Sequence, residues 1–237
     1  SEETSVCTFN VRYDNPDDTL KWFERRDEVA NAVRYFDIVA LQEVLPNQFD
    51  DLKQRLGQHD SFGRGRNADG SGEASPIFWN RKRYDFLKGE VKWLSTEPMQ
   101  EGSIGWDADL PRLVTIVVLF DRENQKTVRV LNAHWSHVGE WSRKGAAAMM
   151  AGWSGRVCAW VMGCIAGSLL SVGPLFVRGL VQFREETYLC VSHGQGKRRW
   201  DRSRRLFILP ERPVRSVVVA VALPAGAGGE RESPLRF

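Results

Sequence analysis

Ile38-Val39-Ala40-Leu41-Gln42-Glu43-Val44 is the stretch on which the fold turns: an apolar run that stops at an amide and a carboxylate. A short, unbroken apolar run bounded by polar residues reads as a strand buried on both faces. Its end in Gln42-Glu43 sets one carboxylate at the rim of a sheet. Immediately upstream, Trp22 to Tyr35 places Val29, Ala30 and Val33 at helical spacing with charges between them. Further upstream, SVCTFNV (5–11) mixes β-branched and aromatic residues and is stopped by the turn-rich YDNPDD, so a strand is expected to deliver Asn10 to its end. The order is strand, helix, strand.

Downstream, Asn47 to Leu56 repeats the helical period with Phe49, Leu52 and Leu56. The loop GRGRNADGSGE (63–73), expected to be mobile, leads into Ser75–Trp79 and Arg83–Leu87, which are expected to pair as a hairpin. Arg112–Phe120 and Thr127–Trp135, separated by the polar turn DRENQK, are expected to form an antiparallel pair that carries the chain to Asn132 and His134. Most polar candidates therefore fall at strand ends. No internal repeat is present.

A chain of 237 residues with 42% hydrophobic content is long enough for one α/β domain with a sizeable core. The net charge of +3 conceals an asymmetry, because residues 1–150 carry 20 basic and 24 acidic residues and 151–237 carry 13 and 6. Charge of this size does not select a partner. The cysteines, Cys7, Cys158, Cys164 and Cys190, form no CxxC pair and are read as free thiols. No basic stretch followed by an apolar run opens the sequence, so no leader is expected in it, and nothing in it addresses compartment. Val157 to Val177 is free of charge and holds a GxxxG pattern, yet its glycines, its serines and Pro174 favour a core segment over a membrane span. The basic cluster Lys197 to Arg205 reads as a solvated loop before it reads as a track for nucleic acid.

Chemistry concentrates in two places. Magnesium and manganese prefer hard oxygen ligands and keep several waters, so Glu43 with a substrate phosphate could suffice to hold one. LNAHWSHVGE (131–140) brings Asn132, His134 and His137 to a strand terminus, and Glu73, just before the apolar run SPIFW, is the acid available to orient His134.

Taken in order, TFNVRYDN (8–15), DIVALQEV (37–44), Gly72-Glu73 with SPIFWNRKRYDFL (75–87), WDADLPRLVT (106–115) and LNAHWSHVGE (131–140) resemble the first five blocks of the endonuclease/exonuclease/phosphatase superfamily, over about residues 4–145. The resemblance implies a four-layered α/β/β/α sandwich, with two mixed β-sheets packed face to face and helices outside. It implies Mg2+ (or Mn2+) at Glu43, and Asn10, Asn132, Glu73 and His134 as catalytic groups, the last two paired to protonate a leaving oxygen. Arg112 and His137 are expected to bind substrate. The implied partner is a phosphate ester, nucleic acid being one class among several, with no membrane and a monomeric chain.

The sequence departs from the superfamily after about residue 150. Gly173–Val177 resembles the strand leading into a Gly-Asp-x-Asn block, but Leu180 stands at the Asp position and Gln182 at the Asn. Ser216–Leu223 resembles the closing strand that follows Ser-Asp-His, but Glu211-Arg212-Pro213-Val214-Arg215 precedes it. Asn disappears after residue 150 and Asp falls to Asp201 alone, while Arg outnumbers Lys twelve to one. The domain is therefore expected over 1–223, with 146–215 diverged or damaged and 224–237 a disordered tail. Translation of part of this segment out of its ancestral frame is one account of it, and stop codons in both other frames of the gene would sink that account. Three functions follow: a hydrolase of phosphate esters impaired by the lost blocks, an inactive protein that binds metal or a phosphorylated ligand, or a form tethered to membrane through 157–177.

Overall fold

Every second residue of a strand faces the same way, and that alternation sorts the layers of this domain. The computed structural model describes residues 4–154, 164–165, 168–169 and 216–222. The apolar run is β2 (Ile38–Gln42), buried along its whole length. It lies parallel to β1 (Val6–Asn10), with Asn10 opposite Gln42, and α1 (Trp22–Val33) makes the crossover. After α2 (Pro46–Arg55), β3 (His59–Phe62) and β4 (Ile77–Asn80) complete a mixed sheet in the order β1-β2-β4-β3. Pro46 at the first turn of α2 loses no helical hydrogen bond, and the Gln48 side chain accepts from the Leu45 amide at 3.0 Å to close that end.

The second sheet holds β5 (Tyr84–Trp93), β6 (Leu113–Asp121) and β7 (Lys126–His134), antiparallel in sequence. Beyond α3 (Glu140–Ser154) come a two-residue pair, β8 (Cys164–Ile165) with β9 (Ser168–Leu169), and then β10 (Ser216–Ala222), which runs parallel to β7. The sheet order is β10-β7-β6-β5, so this sheet is mixed too.

Ile38, Ile77 and Trp79 of the first sheet meet Val117, Leu119, Val128 and Val130 of the second in one buried cluster. Val39, Leu41 and Phe78 face the other way, onto Trp22, Val29, Ala30 and Val33 of α1 and Leu52 of α2. Val114, Ile116, Leu131 and Ala133 face outward onto Ala146 and Met150 of α3. The layers are thus α/β/β/α, as expected. Cys7 is a free, buried thiol whose pKa burial pushes up to about 12, which leaves it unreactive.

One expectation is corrected. Ser75–Trp79 and Arg83–Leu87 do not pair as a hairpin, because β4 and β5 belong to different sheets. The polar Arg81-Lys82-Arg83 turn is a corner between layers. There buried Arg83 binds Asp121 of β6 at 3.0 Å and Asp37, just before β2, at 3.3 Å, tying one sheet to the other. The membrane reading of 157–177 lies outside the described residues except at 164–165 and 168–169, which are strand. Among the described residues no helix is long and apolar enough to cross a membrane. Residues 173–182, 197–205, 211–215 and 224–237 also lie outside them.

Candidate functional site

At the ends of β1 and β2 the backbone leaves extended geometry sharply. Arg12 and Glu43 take φ values of 57° and 59°, the left-handed region that costs a residue with a Cβ about 1–2 kcal/mol. That turn aims the Glu43 carboxylate back across the strand ends, where Asn10 Nδ2 donates to Oε1 at 2.8 Å and the Tyr13 amide to Oε2 at 3.2 Å. Asn10 is held in turn by the Arg12 amide, which donates to its Oδ1 at 2.9 Å. Glu43 is nearly buried, and its nearest basic group is a histidine rather than a lysine or arginine.

That histidine is His134, the last residue of β7, with Nε2 at 3.9 Å from Glu43 Oε1 and Nδ1 at 3.6 Å from Glu73 Oε2. Both distances exceed a hydrogen bond, so these are electrostatic approaches, and both ring nitrogens are buried with no hydrogen-bond partner in the protein. Glu73 Oε2 is shared: Arg66 Nη1 donates to it at 2.8 Å. The 63–73 loop that carries Arg66 has its own hydrogen bonds, Arg66 N to Glu73 O at 3.2 Å and Trp93 Nε1 to Arg66 O at 2.8 Å.

Arg66, Glu73, Ser75, Pro111, Arg112, Leu113 and His134 line one cleft. Arg112, buried at the start of β6, reaches His137 Nδ1 at 3.3 Å, and its Nε is buried without a partner. His137 Nε2 lies 3.6 Å from Asp109. Asn10, Glu43, Glu73, His134, Arg112 and His137 therefore converge. Asn132 does not reach the cleft. It is 0% exposed, accepts from Gln42 Nε2 at 2.7 Å and donates to the carbonyls of Leu41 at 2.7 Å and Pro76 at 2.9 Å. Its amide is spent between the sheets, so direct participation in chemistry is replaced by a bracing role.

Two groups in this cluster escaped the sequence reading. Arg66 sits in a polar, Gly-rich loop where no periodicity marks it, and Asp109 belongs to a block read only for Arg112. The environment of Glu73 shows what Arg66 does. Burial alone would raise its carboxyl pKa, but the His134 imidazole and the Arg66 and Arg112 guanidiniums outweigh burial and hold it below its ordinary 4.5. A carboxyl depressed in the folded state contributes stability that is complete above the unfolded pKa and is lost as pH falls through the folded one. Arg66→Ala is therefore expected to raise the Glu73 pKa towards its unfolded value and to shrink the stability that this carboxylate contributes above that value. A carboxyl-detected NMR titration checks it, and an unmoved Glu73 resonance midpoint would rule it out.

Residues 7–144 match the Endonuclease/Exonuclease/phosphatase family. Among solved structures, an endonuclease/exonuclease/phosphatase from Bacteroides vulgatus is 36% identical with a TM-score of 0.63, over 65% of this chain and 60% of that one. A family protein from Bacteroides thetaiotaomicron is 30% identical with a TM-score of 0.62, over 64% and 58%. A mannosyl-6-phosphatase from the same organism is 30% identical with a TM-score of 0.61, over 63% and 58%. The chain thus spans about three fifths of the length of these relatives. None of the curated proteins compared with the chain matches it. The family match stops at residue 144, close to where Asn disappears from the sequence and Asp falls to Asp201 alone.

Proposed function

Because the chain belongs to the endonuclease/exonuclease/phosphatase family, we propose that its strand-end cleft hydrolyses phosphate esters with Mg2+ or Mn2+ as cofactor. The observation that supports this best is the gathering of Arg66, Arg112 and His134 around Glu73 along one cleft, a set of cationic and hydrogen-bonding groups suited to a phosphate. Glu43 fits a hard cation, since its nearly buried carboxylate is hydrogen-bonded by an amide and a backbone N–H rather than by a basic side chain. Among the described residues no group of three or more acidic, His or Cys side chains is gathered for a metal, so the cation would rest on one carboxylate, water and the substrate phosphate. Such a cation supplies neutralisation of charge on the phosphate oxygens.

In this reading Asn10 orients Glu43. Arg112 and Arg66 bind the non-bridging oxygens of the phosphate. His134 hands a proton to the leaving oxygen, with Glu73 fixing the ring from its Nδ1 side. Leu180 and Gln182 in place of Asp and Asn, and the missing Asp-His before Ser216, remove groups worth ~10²–10⁴ each, so turnover is slow. The same loss favours a second reading, a protein that binds metal and phosphate without turnover.

Assays of the whole chain with p-nitrophenyl and bis(p-nitrophenyl) phosphate, with Mg2+ or Mn2+ and then with EDTA, separate the two. Hydrolysis is expected to need the cation and to fall by ~10²–10⁴ in His134→Ala. Metal binding with a rate no greater than that of His134→Ala selects the binding protein, and neither binding nor turnover defeats both.

A further inference from the structure

The loop and helix beside the phosphate cleft carry an exposed aromatic face that the hydrolytic groups leave unused. Trp106 is 44% and Trp141 66% exposed. Trp106 sits at φ 50°, a strained setting for so bulky a residue. Its ring rests against Gly145, where an added Cβ would come within 2.3 Å of it. Gly145 is one helical turn beyond Trp141 on α3, so both indoles lie along one side of that helix, with Lys144 Nζ 4.9 Å from the centre of the Trp141 ring. Asp107 fixes the loop to that helix, its Oδ1 accepting from the Ser142 amide at 2.7 Å and its Oδ2 from the Trp141 amide at 3.2 Å. Two residues further along, Asp109 approaches His137 at 3.6 Å, and His137 touches Arg112 of the phosphate cleft. From the phosphate outward the order is guanidinium, a half-exposed imidazole and carboxylate, then flat aromatic surface.

We propose that this face receives the alcohol half of the substrate, and that the alcohol is a monosaccharide, making the substrate a sugar phosphate monoester. The proposal rests on the phosphate-ester reading above. A pyranose offers a flat C–H face for indole stacking and hydroxyls for an imidazole–carboxylate pair, which is the combination found here. Nucleic acid fits less well. Its next phosphate would meet the half-exposed carboxylate of Asp109, and residues 1–150 carry more acidic than basic side chains. In the reaction, water oxygen bonds to phosphorus, the bond from phosphorus to the sugar oxygen breaks, and that oxygen leaves as a hydroxyl after taking one proton. Water's own proton balances it and no further reactant is needed.

Calorimetric titration of the whole chain in Mg2+ with glucose 6-phosphate, inorganic phosphate and thymidine 5′-monophosphate tests this without relying on turnover. Glucose 6-phosphate is expected to bind more tightly than inorganic phosphate, and Trp141→Ala to weaken it about ten-fold, the worth of one aromatic contact, while inorganic phosphate affinity stays within about two-fold. Tyr35→Ala, which removes an exposed ring on a distant surface, is expected to change neither. Equal losses for both ligands, no loss, or no preference for the sugar ester overturns the proposal. Tighter, Trp141-dependent binding of the nucleotide replaces the saccharide with a nucleoside. Trp141-dependent sugar phosphate binding in a chain that hydrolyses nothing keeps the platform and removes the hydrolase.

Discussion

Glu43→Ala is expected to lose Mg2+-dependent hydrolysis by at least ~10³-fold, because the cation's contribution of several kcal/mol disappears with its carboxylate. The same substitution should abolish Mn2+ binding followed by electron paramagnetic resonance, which makes the expectation testable even where turnover is slow. Glu43 also sits at φ 59°, a conformation that alanine tolerates poorly and glycine freely. Glu43→Gly should therefore be as inactive as Glu43→Ala yet more stable than it by ~1 kcal/mol in urea unfolding. That pairing separates strain from chemistry. A Glu43→Ala protein that keeps its Mn2+ affinity would show that the cation binds somewhere else.

The second large effect is on stability. Asn132→Leu keeps the volume but removes the acceptor for Gln42 Nε2 and the donor to the carbonyls of Leu41 and Pro76. Gln42 retains Thr8 Oγ1 at 3.1 Å and Ala40 O at 3.2 Å, and the Pro76 carbonyl still accepts the Leu41 amide, so the damage is partial. Buried polar groups left short of partners cost ~1–3 kcal/mol each, and we expect ~3 kcal/mol in all, a fall in Tm of about 6–12 °C. Because Gln42 precedes Glu43 and Asn132 lies two residues before His134, the same bonds set the two sides of the cleft at their separation. A variant that unfolds at the wild-type temperature would show that the amide bridge contributes little.

Much of this was legible from alternation. Ile38 to Gln42 reads as a buried strand because nothing polar interrupts it before the strand end, and the strand end is where Glu43 is needed. The spacing Val128, Val130, Asn132, His134 contains the further fact that Asn132 points between the sheets, and the run of small polar and basic residues at its end hides this. HDSF at 59–62 does not look like a strand, since β3 lies at a sheet edge and buries His59 alone. The Arg81–Arg83 turn has the composition of a hairpin turn, and only the carboxylates of Asp37 and Asp121, far away in sequence, make it a corner. Arg66 is invisible for the same reason: its meaning lies in sharing an oxygen of Glu73 with His134. The five blocks carried the superfamily in combination because each marks a strand end, and strand ends are what the sandwich brings together.

Diffraction from crystals of the whole chain grown with Mn2+ and inorganic phosphate, collected at a wavelength where manganese scatters anomalously, tests the convergence most directly. The expected result is a manganese peak about 2.1 Å from a Glu43 carboxylate oxygen, with phosphate between it and the side chains of Arg112 and His134. A peak remote from Glu43, or phosphate bound away from Arg112 and His134, would contradict it.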